Sequence, residues 1–269
     1  MSAGRTLAII GGGRMGEAIA AGLVTSRALA ADEIAVAEPS AERREVFARH
    51  GIEAVADGHV IVGGAGIVLL AVKPQVIDAV LAHLADDLAP GAVVVSIAAG
   101  ITTARLESLL PDGMSVVRVM PNTPAMVGAG MAVVSGGSAA TDDQVERVRA
   151  LFEAIGEAVV IDERHQDAAT AISGSGPAYI ALVIDALARA GVQHGLTRDI
   201  AQALAVQTVK GTAELLATTR MHPEELVDAV SSPGGTTIAA IGALEAGGVR
   251  AAFSDAVDAA VARAKDLGR

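Results

Sequence analysis

Two short stretches of the chain carry residue types at spacings that suit chemistry. In the first, Gly11-x-Gly13-x-x-Gly16 comes straight after the apolar residues 6–10 and opens a helical pattern. Gly11 allows the tight turn, Gly13 lets a pyrophosphate come close to the backbone, and Gly16 lets helix and strand pack closely. The helix start then turns its unpaired N–H groups toward the phosphates. Ile10, Gly12, Arg14 and Met15 complete this expected cofactor cradle; a glycine-rich turn that binds nothing is the plain alternative. The second stretch, residues 231–237, reads Ser-Ser-Pro-Gly-Gly-Thr-Thr at the mouth of a helical segment. One hydroxyl would be enough to cap a helix. Here the N–H groups around Gly234, Gly235 and Thr236 are able to form an anion nest, and the side chains of Ser232 and Thr237 add neutral donors.

Further candidates fall where strands are expected to end. Glu38 closes the second apolar run, where a carboxylate accepts from a ribose 2′-OH and repels a 2′-phosphate. Ser40, Arg43 and Arg44 follow at once. An arginine there either takes a 2′-phosphate or belongs to a solvated helix face, so NADPH or NADH remains open, with a lean toward tolerance of NADH. Ala71, Val72, Lys73 and Pro74 lie at the end of a strongly apolar run, and Ala98 and Ala99 end the next. In a doubly wound sheet that edge lines the ligand crevice. Lys73, one of three lysines in the chain, either faces the cofactor or sits on the surface. The six histidines are scattered, and none pairs with another at metal-ligand spacing, so no metal is expected. The chain has no cysteine, which removes thiolate and disulfide chemistry.

These residues need a scaffold. Apolar runs at 6–10, 34–38, 52–55, 67–72, 92–97, 114–120, 130–135 and 158–161 read as strands. Helical patterns at 14–25, 40–50, 75–86, 102–109 and 142–155 fall between them. Continuous apolar strands alternating with helices give the α/β class, with an N-terminal Rossmann-type doubly wound parallel sheet. After residue 162 Ala- and Leu-rich helical stretches take over, with breaks expected at 173–177, 194–197 and 231–235. The chain is therefore expected to divide into a dinucleotide-binding domain, residues 1–162, and an all-α dimerisation domain, residues 163–269. Residues 177–192 hold only Asp185 and Arg189 as charges. A helix apolar on most sides must be buried on most sides, which calls for a homodimer through this domain. Net charge is −11 and aromatics are 1% of the chain, so no nucleic-acid partner is expected. The longest uncharged run, 119–141, is interrupted by Pro121 and Pro124, and the apolar start is too short for a signal peptide. No membrane partner and a cytoplasmic location are expected.

Five blocks occur in order: GGGRMGEAIAAGL, AVKPQ, VVRVMPNTPAMVGAG, DAATAISGSGPAY and VSSPGGTTIAAIGALEAGG. Together they resemble the pyrroline-5-carboxylate reductase family, over about residues 5–266. The resemblance implies NAD(P)H-dependent reduction of 1-pyrroline-5-carboxylate to L-proline, the final step of proline biosynthesis. It implies a helical domain that intertwines with a partner subunit, in dimers that often assemble further into decamers. It also implies that the loop with Ser232, Gly234, Gly235, Thr236 and Thr237 binds the substrate carboxylate, and that Thr237 is the catalytic residue, hydrogen-bonded to the ring nitrogen. Thr170 and Ser175 are further substrate-side candidates. Asn122, the sole asparagine, either shapes its turn or contacts the nicotinamide side. One departure stands out: where many members have an asparagine after the third strand, this chain has Ala56-Asp57-Gly58. The β-hydroxyacid dehydrogenases share the layout but use a Lys with an Asn four residues on; here Lys210 is followed by Glu214 at that spacing. A non-catalytic nucleotide-binding regulator would keep the glycines without needing the 231–237 loop.

Overall fold

The structure, a computed structural model, describes residues 5–267. It opens with β1 (Leu7–Ile10), α1 (Arg14–Thr25), β2 (Ile34–Ala37), α2 (Ala41–Ala48), β3 (Glu53–Val55), α3 (His59–Val62), β4 (Ile67–Leu70) and α4 (Ile77–Leu84). Then come β5 (Val93–Ser96), α5 (Thr103–Glu107), β6 (Ser115–Met120), β7 (Gly130–Gly136), α6 (Asp142–Glu153) and β8 (Gly156–Val160). The eight strands form one sheet in the order β3-β2-β1-β4-β5-β6-β7-β8. Winding reverses between β1 and β4, and the carboxyl ends of those two strands frame the crevice where such sheets bind ligands.

The expected doubly wound sheet is present, with one departure. β7 runs antiparallel to β6 and β8 then runs parallel to β7. A parallel return needs a crossover of a dozen or more residues. The link between β6 and β7 offers only a short 3-10 turn, Thr123–Val127, ended by Gly128 at φ +71. Apolar content fixed these segments as strands but carries no information about direction.

β1, β2, β4 and β5 are buried along their whole length. One face of the sheet packs Leu7, Ile9, Ile34, Leu69 and Val95 against Ile19, Leu23, Phe47 and Phe152. The other packs Ala8, Ala35, Val68, Leu70 and Val94 against Ile61, Ile77, Leu81 and Leu84. Each fully buried Leu or Ile contributes about 1.5–3 kcal/mol, so two such layers make a self-sufficient core.

No strand follows β8 among the described residues. α7 (Gln166–Ala169) comes next, then a π-type turn at Thr170–Gly174, then α8 (Gly176–Gln193), α9 (Arg198–Thr219), α10 (Pro223–Val230), α11 (Thr236–Ala246) and α12 (Val249–Leu267). The break expected at 173–177 narrows to a bend at Ser175, with helical turns on both sides of it between Glu163 and Gln193. Gly174 is absorbed by the wider π turn, which the Thr170 and Ser173 hydroxyls brace by donating to the carbonyls of Gln166 and Ala169 at 2.7 and 3.0 Å, and Gly176 opens α8. Gln166 is fully buried and donates to Val133 O at 3.1 Å, tying α7 to β7.

Contacts gather the chain into two compact units. One holds the residues up to Ser175 together with those from Ala260 onward; the other is Gly176–Ala259. In the second, α8 and α9 pack through a small cluster of Ala188, Ala201 and Ala205, with Ile184 against it. Asp185 accepts from Arg198 at 3.0 Å and from Arg189. The Arg189 guanidinium, and Arg198 after it, hold the Asp185 carboxyl below the usual carboxylate range.

Candidate active site

The glycine turn between β1 and α1 is shaped by what it cannot hold. Gly11 sits at φ +109, where side chains are strained, and a Cβ there would lie 2.6 Å from the Ala71 carbonyl oxygen. A Cβ on Gly16 would lie 2.3 Å from Gly11 O, and one on Gly12 would meet Glu38 and Phe47 at 2.8 Å. Gly13 differs: nothing stands within 4 Å of a Cβ built there. Three glycines are thus squeezed by protein, and the fourth opens on free space at the N-terminus of α1. No side chain caps that helix. A cradle of this form, with outward N–H groups and the positive helix end, fits a pyrophosphate.

The predicted cofactor residues gather along the carboxyl edge of the strands. Ile10, Gly11, Glu38, Val72, Asp57 and His83 line one cavity of about 310 Å³ beside the turn. Arg14 starts α1 on the exposed side, while Met15 packs onto the first core layer. The Ala71 N–H donates to Ile10 O at 2.8 Å, which holds the end of β4 against the turn. Lys73 is exposed and precedes the 3-10 turn Pro74–Val76. Ala98 is buried and Ala99 exposed just beyond β5.

Glu38 is fixed by two backbone donors, Gly12 N–H on Oε2 and Ser40 N–H on Oε1, both at 2.9 Å. Ser40 in turn caps α2. Neither following arginine forms a purely solvated face. Arg43 donates to Gly12 O at 2.9 and 2.7 Å and to Glu17 at 2.7 Å. Arg44 donates to the carbonyls of Glu38 and Pro39 at 2.8 and 2.7 Å. Both guanidinium groups are spent on the ends of the elements around the turn. Asn122 is likewise engaged: its Nδ2 donates to Ser173 O at 2.9 Å and its Oδ1 accepts from Met131 N–H at 2.8 Å. It joins the end of β6 to the start of β7 and to the π turn.

On the substrate side, Thr170 and Ser175 are half-buried at the two ends of the π turn, with Ser175 N–H on Thr170 O at 3.0 Å. The 231–237 loop belongs to the helical unit. Gly234 has φ +69 in open space, and Gly235 is the residue before α11. A Cβ on Gly235 would lie 2.3 Å from Ser232 Oγ and 3.1 Å from Ser232 O, so a side chain there would turn the Ser232 hydroxyl away. The expected nest loses one member, because Gly235 N–H closes a turn on Ser232 O at 2.9 Å. No side chain caps α11, though Ser and Thr surround its start. Its first N–H groups, on Thr236 and Thr237, are the donors left for an anion.

Three features escaped the sequence reading. Arg118 is 3% exposed, paired with Glu163 at 3.3 Å and Asp167 at 3.4 Å; its signal was a charge inside the apolar run Val116–Met120. Ser231 Oγ is buried without a partner, beside the Ser232 that drew attention. His59 and His83 meet, with Nε2 and Nδ1 at 3.2 Å, although 24 residues separate them.

A Rossmann-type domain with a glycine cradle, followed by helices, defines the class: an NAD(P)-dependent oxidoreductase. Residues 6–100 match the family model for NADP oxidoreductase, coenzyme F420-dependent, and residues 163–267 match that for pyrroline-5-carboxylate reductase dimerisation. A pyrroline-5-carboxylate reductase of Synechocystis is 47% identical over 98% of each chain. The structure of one from Coxiella burnetii superposes with a TM-score of 0.94 at 36% identity, covering 99% of each chain. That of Plasmodium falciparum pyrroline carboxylate reductase with NADP bound gives 0.89 at 29% identity, covering 100% of each. The chain belongs to the pyrroline-5-carboxylate reductase family.

Proposed function

We propose that the protein reduces 1-pyrroline-5-carboxylate to L-proline, the last step of proline biosynthesis, using NADPH or NADH. The observation that carries this reading is the 231–237 loop. It leads into a helix whose start has no side-chain cap, in a chain similar over its full length to named reductases of this substrate.

When bound, NAD(P)H supplies the hydride taken up by the imine carbon. The chain's own residues bind and orient. Gly11, Gly12, Gly13 and Gly16 cradle the pyrophosphate, with Ile10, Arg14 and Met15 around the turn. Glu38 and Ser40 face the adenosine ribose, and Ala71, Val72, Lys73, Pro74, Ala98 and Ala99 form the crevice edge toward the nicotinamide. Arg43 and Asn122 act in this reading as positioning residues, since their polar groups are held by Gly12 O, Glu17, Ser173 O and Met131 N–H. The substrate carboxylate is fixed by the α11 N-terminus at Thr236, by Gly234 N–H and by the Ser232 hydroxyl, while Gly235, its own N–H held by Ser232 O, shapes the turn. Thr237 hydrogen-bonds the ring nitrogen and orients it. A threonine hydroxyl is a poor acid, so the iminium proton comes from solvent or arrives with the substrate. Thr170, whose proton is given to Gln166 O, offers oxygen lone pairs to the substrate, and Ser175 a hydroxyl. Holding two reactants in register supplies up to about 7–11 kcal/mol of the barrier reduction.

The functional division proposed is residues 1–162 for the dinucleotide and 163–269 for substrate and dimerisation, in a cytoplasmic homodimer that is able to build decamers. The segment Glu163–Gln193 is long and apolar enough to cross a membrane by length and composition. Its inclusion in the region matching a dimerisation model supports a protein partner instead. The test follows nicotinamide absorbance with 1-pyrroline-5-carboxylate and each cofactor, with proline identified as product. A folded dimer that binds cofactor but yields no proline with either would overturn the reading.

A further inference from the structure

We infer that Asp57 selects the purine base of the dinucleotide: its carboxylate accepts from the exocyclic amino group of an adenine seated in the cavity beside the glycine turn. This rests on the cofactor reading above. The cavity, of about 310 Å³, has apolar walls that include Ile10, Val72, Val80 and Leu84, while Glu38, Asp57 and His83 supply its polar side chains. Apolar walls with a few placed polar groups suit a flat aromatic base. Gly11 of the turn lines the cavity as well, so a base there stays within reach of a pyrophosphate held on that turn.

The hydrogen bonds already made show which acceptor is left. Glu38 takes Gly12 N–H on Oε2 and Ser40 N–H on Oε1. Asp57 takes both of its donors on one oxygen: His59 N–H at 3.1 Å and His83 Nε2 at 3.2 Å both meet Oδ1. The turn into α3 uses only that oxygen, and among the described residues none donates to Oδ2. The His59 N–H, and after it the His83 ring, hold the Asp57 carboxyl below its ordinary range, so it is ionised at neutral pH. An ionised carboxylate accepts and never donates. It therefore matches adenine, whose N6 amino group donates, and opposes hypoxanthine, which carries an acceptor oxygen at that position.

The backbone that carries Asp57 is held against the cavity wall. A Cβ on Gly58 would lie 3.1 Å from both Ile10 and Leu84, so the chain is pressed onto two of the apolar side chains that line the cavity. The Asp57 side chain is 56% exposed, which puts it at the mouth, where a base edge meets solvent. Water competes with a base for Oδ2 there, so the discrimination is that of one hydrogen bond and no more. A site built to pair with an N–H rejects the analogue that lacks it, because the acceptor is then left facing another acceptor.

The test measures binding, with no imine present. The full chain is titrated calorimetrically with NADH and NADPH and with their hypoxanthine counterparts, which carry an oxygen in place of the amino group. The wild type should hold the adenine form about tenfold more tightly, the worth of one hydrogen bond to a partly exposed charged group. Asp57→Asn and Asp57→Ala should each bring the two forms within about twofold of each other, with circular dichroism unchanged. Asp86→Asn, on an exposed carboxylate outside the cavity, should keep the tenfold ratio. Equal affinities in the wild type overturn the inference and leave the cofactor reading standing. So does a ratio that survives both Asp57 substitutions, or one that falls equally with Asp86→Asn. A chain that binds none of the four dinucleotides overturns both.

Discussion

Leu69 of β4 and Leu182 of α8 are the same residue type in equally apolar stretches of sequence, yet Leu69 is fully buried and Leu182 is 71% exposed. The contrast holds for the units around them. The sheet unit covers its apolar residues with two layers of its own helices. In the helical unit, α10 and α11 bury no side chain, while Ile180, Leu187, Ile200, Leu204 and Phe253 are all more than two-fifths exposed. Monomeric soluble proteins rarely leave contiguous apolar surface on this scale. The first unit is a folded core; the second leaves much of its apolar surface uncovered within one chain.

The largest test of this contrast is Leu69→Ala. It should cost about 2–5 kcal/mol of stability, read by denaturant unfolding at any protein concentration. Next comes Leu182→Glu. Nothing in a lone chain opposes a charge at this exposed position, so a monomeric protein would keep its stability. If a second copy covers α8, an unpaired charge enters the interface, dimer affinity falls by at least about 2 kcal/mol, and melting becomes dependent on concentration. Sedimentation of the two proteins side by side decides it. A Leu182→Glu variant that associates as the wild type does would remove α8 from the interface.

The two units also differed in how far the sequence disclosed them. Strands of the sheet unit were legible because continuous Val, Leu and Ile runs have few other places to go. The glycine turn was legible because sterics demand glycine at Gly11 and Gly16. The reversed direction of β7 was not, since apolar content has no polarity along the chain. In the helical unit, the missing core showed through the near absence of charge in α8, but the π turn did not: Ser173, Gly174 and Ser175 look like a helix break until side-chain bonds to Ala169 O and Gln166 O are seen to hold them. Arg43 was read as meeting either a 2′-phosphate or solvent, and Asn122 as either shaping its turn or meeting the nicotinamide; their hydrogen bonds to backbone groups distant in the chain leave no mark in sequence. The His59–His83 pair stayed hidden for the same reason.

A smaller effect probes the helical unit's share of the chemistry. Thr237→Ala should lower kcat/KM for the imine roughly tenfold, the worth of about one hydrogen bond at 1.4 kcal/mol, while cofactor affinity, proposed to belong to the sheet unit, is unchanged. Unchanged kcat/KM would take Thr237 out of the reaction. A matching loss of cofactor affinity would mean that the two units do not divide the labour as proposed.

The smallest effect lies wholly in the sheet unit and concerns the choice between NADPH and NADH. Glu38 is held at the mouth of the cavity by Gly12 N–H and Ser40 N–H. Arg43 and Arg44 are both tied to backbone carbonyls, so neither is poised to offset the carboxylate toward a 2′-phosphate. Glu38→Gln removes the charge and keeps one acceptor for the two backbone donors. Some loosening of the turn follows, and it weakens both cofactors alike; the ratio of their kcat/KM values is therefore the quantity to measure. Relief of one partly exposed charge repulsion is worth ~1 kcal/mol, so the ratio of NADPH to NADH efficiency should rise about fivefold. An unchanged ratio would mean that the 2′-oxygen does not approach Glu38. A fall would mean that Arg43 or Arg44, released from its carbonyl by bound cofactor, already governs the choice and that Glu38 serves to keep it in place.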